Sequence, residues 1–182
     1  MVPRDEAVAR VRAACDARDA IAAELGAASA GGPSDAICVV ARTDARQAEG
    51  IDEALARVRA FAEAGADVLF VDALESEAEM MALCEQAPHV PKMANNLEGG
   101  GKTPLLPRSR LAELGFAVVA YPLSVMGGAM AGMELALDAV EADNVPAQAQ
   151  PSLQQIREAV QWPQHDRLAE RYATPGAAET PP

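Results

Sequence analysis

Side chains that can bind anions and cations follow each of four short apolar segments of the chain. They are Arg42 and Asp44 after the first segment, Asp72 after the second, Asn95 after the third and Ser124 after the fourth. An arginine donates in a fixed fork to a carboxylate or phosphonate, and carboxylates hold Mg²⁺ directly or through its waters. This set of residues therefore predicts a site for a small carboxylate substrate together with a divalent cation.

Each of these residues also has a purely structural interpretation. Arg42 and Asp44 could pair with neighbouring charged groups, and Asp72 could cap the helix that follows it. The glycine-rich run at residues 99–104 lacks the spacing of a nucleotide phosphate loop and ends in proline rather than in a helix start. We therefore do not expect nucleotide binding at this run.

The four apolar segments predict β-strands, and the amphipathic segments around them predict helices. Strands are expected at residues 36–42, 67–71, 90–94 and 116–121, and helices at about residues 4–25, 50–64, 76–85, 107–114 and 124–142. Strand–helix units that repeat every 25 to 30 residues or so are typical of parallel strands joined by right-handed crossovers. The carboxyl ends of such strands meet at one rim, where the polar residues named above should converge.

Two local patterns allow finer expectations. The uninterrupted apolar run at residues 36–41 predicts a strand that is buried on both faces. The spacing of Ser76 and Glu79 predicts a capping box, in which each side chain satisfies a free backbone N–H at the start of a helix.

The composition excludes some classes of partner. The 182 residues include 15 Lys and Arg against 27 Asp and Glu, a formal charge of −12. This charge argues against binding of nucleic acid or of an anionic membrane. No apolar run approaches the roughly 20 residues of a membrane span, and the first residues lack a signal-peptide pattern, so we expect a cytoplasmic protein. The three cysteines lack the spacing of metal ligands and are expected to be buried thiols.

The C-terminal segment is rich in proline and differs from the α/β pattern before it. We place the domain boundary between residues 1–142 and residues 143–182. Short helices are expected at residues 152–160 and 165–172, and the last residues are expected to be disordered.

Four motifs in order along the chain resemble the isocitrate lyase/phosphoenolpyruvate mutase superfamily. They are Val39-Val-Ala-Arg42-Thr-Asp44-Ala, Phe70-Val-Asp72-Ala, Met93-Ala-Asn95-Asn-x-Glu98-Gly-Gly-Gly-Lys102-Thr103-Pro104 and Tyr121-Pro122-Leu123-Ser124. The resemblance implies a (β/α)8 barrel enzyme that uses Mg²⁺ to stabilise an enolate of pyruvate or of a related 2-oxo acid. Such an enzyme cleaves or rearranges a C–C or P–C bond beside that enolate.

The resemblance extends to the second half of such a barrel. In the family, the Ser-Gly-Gly substrate loop, the metal-binding aspartates and the mobile loop with the acid/base cysteine belong to the first half, and they have no counterpart in this sequence. The expected fold class is therefore α/β, with strands five to eight of a (β/α)8 barrel and a C-terminal helical tail. The direct ligands to Mg²⁺ would be missing, and no residue is assigned as catalytic.

The resemblance also implies roles for individual residues. Arg42 matches the arginine that contacts the anionic group of the substrate, and Asn95 matches the asparagine that holds a ligand carboxylate. Asp72 stands where many members have a glutamate that orders metal-bound water. We therefore expect Asp72 in the outer shell of Mg²⁺.

Two positions bear on the size of the substrate. Leu97 and Gly127 replace a hydroxyl residue and an arginine of the methylisocitrate-cleaving branch. This favours a smaller substrate, such as oxaloacetate, a substituted malate or a phosphonopyruvate-type compound. Leu97 and Ser124 complete the expected substrate-binding residues, and the supporting residues are Asp44, Glu98, Gly99, Gly100, Lys102 and Thr103.

Two hypotheses about function remain open. In the first, the complete protein is a Mg²⁺-dependent lyase, decarboxylase or phosphonomutase, and this chain is its anion-binding half. In the second, the chain is a non-catalytic half-barrel that acts through assembly with another chain. Family members exchange the helix expected at residues 124–142, so we expect a homo-oligomer with that exchange, or a partner chain that supplies the missing half-barrel.

Overall fold

The computed structural model describes residues 1–24, 37–144 and 150–173. The strands are β1 (Val40–Thr43), β2 (Val68–Val71), β3 (Lys92–Asn95) and β4 (Val118–Ala120). The helices are α1 (Arg4–Glu24), α2 (Ala45–Glu49), α3 (Ile51–Glu63), α4 (Glu77–Glu85), α5 (Arg108–Leu114), α6 (Ser124–Glu141), α7 (Leu153–Ala159) and α8 (Trp162–Arg171). The chain divides into two compact units, Met1–Gly128 and Ala129–Pro182, and all four strands lie in the first unit. The domain boundary expected at residue 143 stays a prediction.

The four strands form one parallel sheet in the order β1-β2-β3-β4. This order and direction confirm the expectation from the sequence. In the register, Arg42 on β1 lies beside Phe70 on β2, and Phe70 lies beside Met93 on β3. Met93 in turn lies beside Val118 on β4. Because side chains alternate between the faces of a strand, these four residues lie on the same face of the sheet.

Helices cover the other face of the sheet. The side chains on this helix side are buried in β1, β2 and β3, and half-buried in β4; they are Ala41, Thr43, Leu69, Val71, Lys92, Ala94 and Val119. Their apolar members join Phe61 of α3, Met80 of α4 and Leu111 of α5 in one hydrophobic core. Lys92 is 2% exposed, and its ammonium donates to the carbonyl oxygens of Ala87 at 2.6 Å and Val90 at 2.7 Å. These bonds satisfy a charge that burial alone would make costly.

The face that carries Arg42 is called the open face, and its strand residues are Val40, Arg42, Val68, Phe70, Met93, Asn95, Val118 and Ala120. Val40 and Val118, on the two edge strands, are 44% and 43% exposed. The prediction that the first strand is buried on both faces is wrong, because its side chains alternate between exposed and buried. Residue 36, where that strand was expected to begin, lies outside the described residues.

The start of α4 forms only half of the expected capping box. The Ser76 hydroxyl accepts a hydrogen bond from the Glu79 N–H at 3.2 Å. The Glu79 carboxylate does not return to Ser76, because it accepts from the N–H of Glu75 and from both Nε and Nη2 of Arg46. Arg46 lies on α2, a one-turn helix that the hydrophobic pattern of the sequence does not predict. A tertiary ion pair therefore replaces the local bond, and it lowers the pKa of Glu79.

Both short helices expected near the C-terminus are present. The first, α7, begins with a complete capping box between Ser152 and Gln155. The second, α8, begins at Trp162, three residues earlier than expected, because Pro163 occupies its first turn, where a missing N–H costs nothing. The last eight or so residues, expected to be disordered, lie outside the described residues.

Two further expectations from the composition can be compared with the structure. Among the described residues, no helix is long and apolar enough to cross a membrane. Cys15 is buried and Cys84 half-buried, but Cys38 is exposed. The prediction of a buried thiol is therefore wrong for Cys38, which precedes the edge strand β1 rather than lying in the helix-side core.

An ion-pair cluster around the buried Arg57 attaches the start of α1 to α3. Arg57 is 3% exposed, and it donates through Nε to Glu53 at 2.8 Å and through Nη2 to the carbonyl of Val2 at 2.9 Å. Arg4 donates to the same Glu53 carboxylate. These hydrogen bonds lower the pKa of Glu53 from 4.5 to about 2, and the bond from Arg4 is the largest cause.

We predict that Glu53→Gln destabilises the fold, because Arg57 would lose a charged partner while remaining buried. The loss in unfolding free energy at neutral pH should be roughly 1.5–3 kcal/mol, the scale of a hydrogen bond to a charged group. A carboxyl with a lowered pKa stabilises the folded state above its unfolded-state pKa and loses this effect as the pH falls. The difference in unfolding free energy between the wild type and Glu53→Gln should therefore shrink as pH is lowered from about 4.5 towards 2.

Urea unfolding of the two proteins across this pH range measures the effect. Glu63→Gln, at an exposed position near the end of the same helix, is the matched control and should change stability little. A Glu53→Gln variant as stable as the wild type at neutral pH would contradict the prediction.

Candidate substrate-binding rim

Arg42 is held between two carboxylates at the carboxyl end of β1. Its Nε donates to Oδ1 of Asp44 at 2.8 Å, and its Nη2 donates to Oδ2 of Asp72 at 2.7 Å. Asp44 and Asp72 raise the pKa of Arg42, with the hydrogen bond to Asp44 as the largest cause. The guanidinium is therefore a permanent positive charge, and its side chain is 53% exposed.

Asp72 connects Arg42 to the third strand. Its backbone N–H donates to the carbonyl of Thr43 at 3.0 Å, which extends the pairing of β1 and β2 by one residue. Its Oδ1 accepts from Nδ2 of Asn95 at 3.4 Å. Asp72 does not cap α4, because Ser76 occupies that position. We call Asp44, Arg42, Asp72 and Asn95 the rim cluster, a hydrogen-bonded row across three strand ends.

Ser124 belongs to a second group of contacts on the same side of the sheet. The Glu98 carboxylate accepts from the Ser124 hydroxyl and from the backbone N–H of Leu123 at 3.3 Å. Glu98 thus connects the segment after β3 to the first turn of α6. The structure therefore joins Arg42, Asp72 and Asn95 in one network and Ser124 with Glu98 in another.

The segment after β3 is a glycine-rich loop with a closed base. Gly99 and Gly100 have φ values of +85° and +121°, which a side chain would strain. A Cβ at Gly101 would meet the Leu97 carbonyl at 3.2 Å and its side chain at 3.3 Å. Leu97 therefore packs directly against the backbone of Gly101. Leu97 is a predicted substrate-binding residue, and it is half-buried.

Two other predicted supporting residues lie farther along this loop. The ammonium of Lys102 is 3.9 Å from the carboxylate of Glu75, and the two side chains are 53% and 43% exposed. Exposed pairs at this distance contribute little to stability. Thr103 follows and is half-buried.

Asn96 follows Asn95 at the end of β3, but it closes the loop and does not join the rim cluster. It is 8% exposed, its Nδ2 donates to the carbonyl of Leu106 at 3.1 Å, and its Oδ1 accepts from the Leu106 N–H at 3.2 Å. Its position next to Asn95 in the sequence predicts this difference, because neighbouring residues at a strand end point to opposite sides. One asparagine therefore faces the rim cluster while the next holds the loop.

The residues described do not by themselves fit a complete Mg²⁺ site. Within residues 1–24, 37–144 and 150–173, no three His, Cys, Asp or Glu side chains are grouped to hold a metal ion. Mg²⁺ requires nearly octahedral oxygen ligation, and both oxygens of Asp72 already accept hydrogen bonds from protein groups. Asp72 alone would not hold Mg²⁺, and direct ligands from other groups would be needed. This agrees with the outer-shell role predicted for Asp72.

Comparison with known proteins identifies the family. A family model described as phosphoenolpyruvate phosphomutase matches residues 2–141. The 2,3-dimethylmalate lyase of Eubacterium barkeri is 38% identical over 122 residues, which cover 67% of this chain and 37% of that protein. The 2-methylisocitrate lyase of Bacillus subtilis strain 168 is 43% identical over 98 residues, which cover 54% of this chain and 32% of that protein.

A solved structure shows the same relationship. The crystal structure of 2,3-dimethylmalate lyase matches with a TM-score of 0.75 and 29% identity, over 94% of this chain and 56% of that chain. The chain thus spans about a third of the length of the curated relatives it matches, and its parallel α/β sheet is similar to part of the solved fold. Since the family model extends over all four strands and the whole rim cluster, the chain belongs to the phosphoenolpyruvate phosphomutase family of the isocitrate lyase/phosphoenolpyruvate mutase superfamily.

Proposed function

We propose that this chain is the substrate-anion-binding half of a lyase or mutase that acts on small 2-oxo or 2-hydroxy carboxylic acids through an enolate. The observation that carries the proposal is the rim cluster, in which Arg42 is exposed at the carboxyl ends of parallel strands between Asp44 and Asp72. Ligands of parallel α/β sheets bind at this end. Arg42 binds the anionic group, and the amide of Asn95 donates to a ligand carboxylate.

The substrate we propose is smaller than a tricarboxylate. The two curated relatives are named as lyases for 2,3-dimethylmalate and 2-methylisocitrate. Leu97 is apolar and Gly127 has no side chain, so neither supplies the polar contact that an additional carboxylate needs. A dicarboxylate of the oxaloacetate or substituted malate type, or a phosphonopyruvate-type compound, fits the one cation and the amide of the rim. Ser124 and Leu97 would border this substrate.

The proposed cofactor is Mg²⁺, bound directly by groups of the other half of the barrel. Asp72 would face the ion through a water molecule, and the supporting residues of the glycine-rich loop would order the rim. Because the described donor set is incomplete, we derive no chemical step from the metal. In this proposal the described residues bind and orient the substrate.

The proposed architecture is strands five to eight of a (β/α)8 barrel. A barrel sheet has an interior face lined by side chains and an outer face covered by helices. The open face has the apolar side chains of such an interior, with Val40 and Val118 exposed at its edges. We propose that the other four strands, from a longer form of this chain or from a partner chain, cover it. We also propose a cytoplasmic location for the protein.

The alternative is a non-catalytic half-barrel that acts in assembly. The pairing of Arg42 with two carboxylates favours it, because a guanidinium with two partners has less need of a ligand. The fully assembled protein distinguishes the two functions, since only the enzyme turns over a 2-oxo or 2-hydroxy acid.

We predict that Arg42→Gln lowers kcat/KM of the complete enzyme at least about a hundredfold. A neutral amide cannot supply the two charged donors, each worth roughly 1.5–3 kcal/mol to an anion. Arg42→Lys should also be impaired, because an ammonium lacks the planar fork. Arg59→Gln, at an exposed arginine of α3 that contacts Gln86, is the matched control and should retain activity. Wild-type turnover by the Gln variant would remove Arg42 from the site.

We predict that the 182-residue chain alone binds Mg²⁺ weakly and turns over no 2-oxo or 2-hydroxy acid. The described residues lack a cluster of ligands for the metal, and a site without a direct carboxylate ligand holds Mg²⁺ poorly. Calorimetry with Mg²⁺ and assays with oxaloacetate and methylmalate-type substrates measure both properties. Metal-dependent turnover by this chain would show that the catalytic groups lie within it.

We predict that the protein is a homo-oligomer in which α6 is exchanged between subunits. Val125 and Met126, in the first turn of α6, are 85% and 57% exposed, and the rest of the helix is rich in apolar residues. Exposed apolar patches of this kind mark protein contacts. Light scattering on a size-exclusion column measures the molar mass, and a stable monomer at micromolar concentration would contradict the prediction.

A further inference from the structure

Phe70 is a buried aromatic residue that lies outside the main hydrophobic core. It is 5% exposed, yet it is not a member of the core cluster formed by the helix side of the sheet. Its register partners Arg42 and Met93 place it on the open face. The helices that bury Leu69 and Val71 therefore do not account for the burial of Phe70, and part of its cover comes from the open face itself.

Arg42 provides that cover. Its guanidinium carbon lies 5.3 Å from the centroid of the Phe70 ring, within the distance at which a cation is attracted to an aromatic face. The same guanidinium donates sideways to Asp44 and Asp72. Three contacts in different directions therefore restrain a side chain that is half exposed to solvent.

These contacts leave one edge of the guanidinium for a ligand. An arginine has five N–H donors, and two of them bond Asp44 and Asp72. Both hydrogens of Nη1 and the second hydrogen of Nη2 have no hydrogen-bond partner within the described parts of the chain. Parallel donors from Nη1 and Nη2 match the two oxygens of a carboxylate.

We propose that Phe70 is a positioning residue, a platform that holds the Nη1–Nη2 edge of Arg42 towards an incoming carboxylate. The ring limits tilt of the guanidinium, while Asp44 and Asp72 limit its rotation in the plane. An anion can then bind without displacing either carboxylate. The inference rests on the proposed function only in its choice of ligand, because the restraint on Arg42 is a property of the protein without a ligand.

The test is nuclear magnetic resonance of the arginine Nε–H groups in the full chain labelled with ¹⁵N. The variant Phe70→Leu keeps an apolar side chain but removes the ring, and Phe70→Tyr restores a ring. Phe116→Leu is the matched control, because Phe116 is similarly buried at 6% but belongs to the helix-side core. Thermal unfolding of each variant identifies any general loss of stability.

We expect hydrogen exchange of the Arg42 Nε–H to increase about threefold to tenfold in Phe70→Leu, the scale of one cation–π contact. Exchange should stay near the wild-type rate in Phe70→Tyr and in Phe116→Leu, even if the latter lowers the melting temperature. Unchanged exchange in Phe70→Leu, or an equal increase in Phe116→Leu, would overturn the proposal.

Titration with oxalate, a dianion with two adjacent carboxylates, provides the second measurement. The shift of the Arg42 Nε–H signal should saturate in the wild type. Phe70→Leu should weaken the affinity for oxalate about threefold to tenfold, the same scale as the change in exchange, while Phe116→Leu should not. Equal oxalate affinity in wild type and Phe70→Leu would overturn the platform role. If exchange responds as expected but oxalate shifts no arginine signal in any variant, the platform stands and the proposed anion-binding function fails.

Discussion

The parallel register of β1, β2 and β3 is the constraint on which the candidate site depends. Because side chains alternate along each strand, pairing of Arg42 with Phe70 also places Asp72, two residues farther on, on the same face. Pairing of Phe70 with Met93 does the same for Asn95. A shift of one residue in either pairing would send these groups to the helix side. The buried set Ala41, Leu69 and Ala94 opposes such a shift, since it would become exposed.

The charge arrangement of the rim follows from this register. Arg42 stands between two carboxylates in a chain whose formal charge is −12. The carboxylates hold the guanidinium in place but also compete with a ligand for it. An anion that uses the remaining donors avoids this competition, whereas one that needs Nε must displace Asp44. The cluster therefore favours ligands that bind the Nη1–Nη2 edge of Arg42.

The sequence was sufficient to predict most of what the strand pattern controls. The order and direction of the strands, and the contact of Arg42, Asp72 and Asn95, followed from apolar runs that end in polar residues. It did not reveal how Ser124 is used, because the bond to Glu98 depends on the path of a loop. The role of Phe70 was hidden because an apolar residue within a buried strand is normally part of the core. The capping box failed for a similar reason, since Arg46 reaches Glu79 from a helix 33 residues away in sequence.

The two hydrogen bonds between Asn96 and the backbone of Leu106 limit how this loop can vary. The two residues are ten positions apart, and their contact closes the intervening segment into a ring whose ends stay fixed. The entropic cost of closing such a ring grows slowly with its length. Insertions in the exposed part of this segment, near Gly99 and Gly100, can therefore lengthen the loop while β3 and α5 keep their positions. Such a change must leave Leu97 and Glu98 in place, because they contact Gly101 and Ser124.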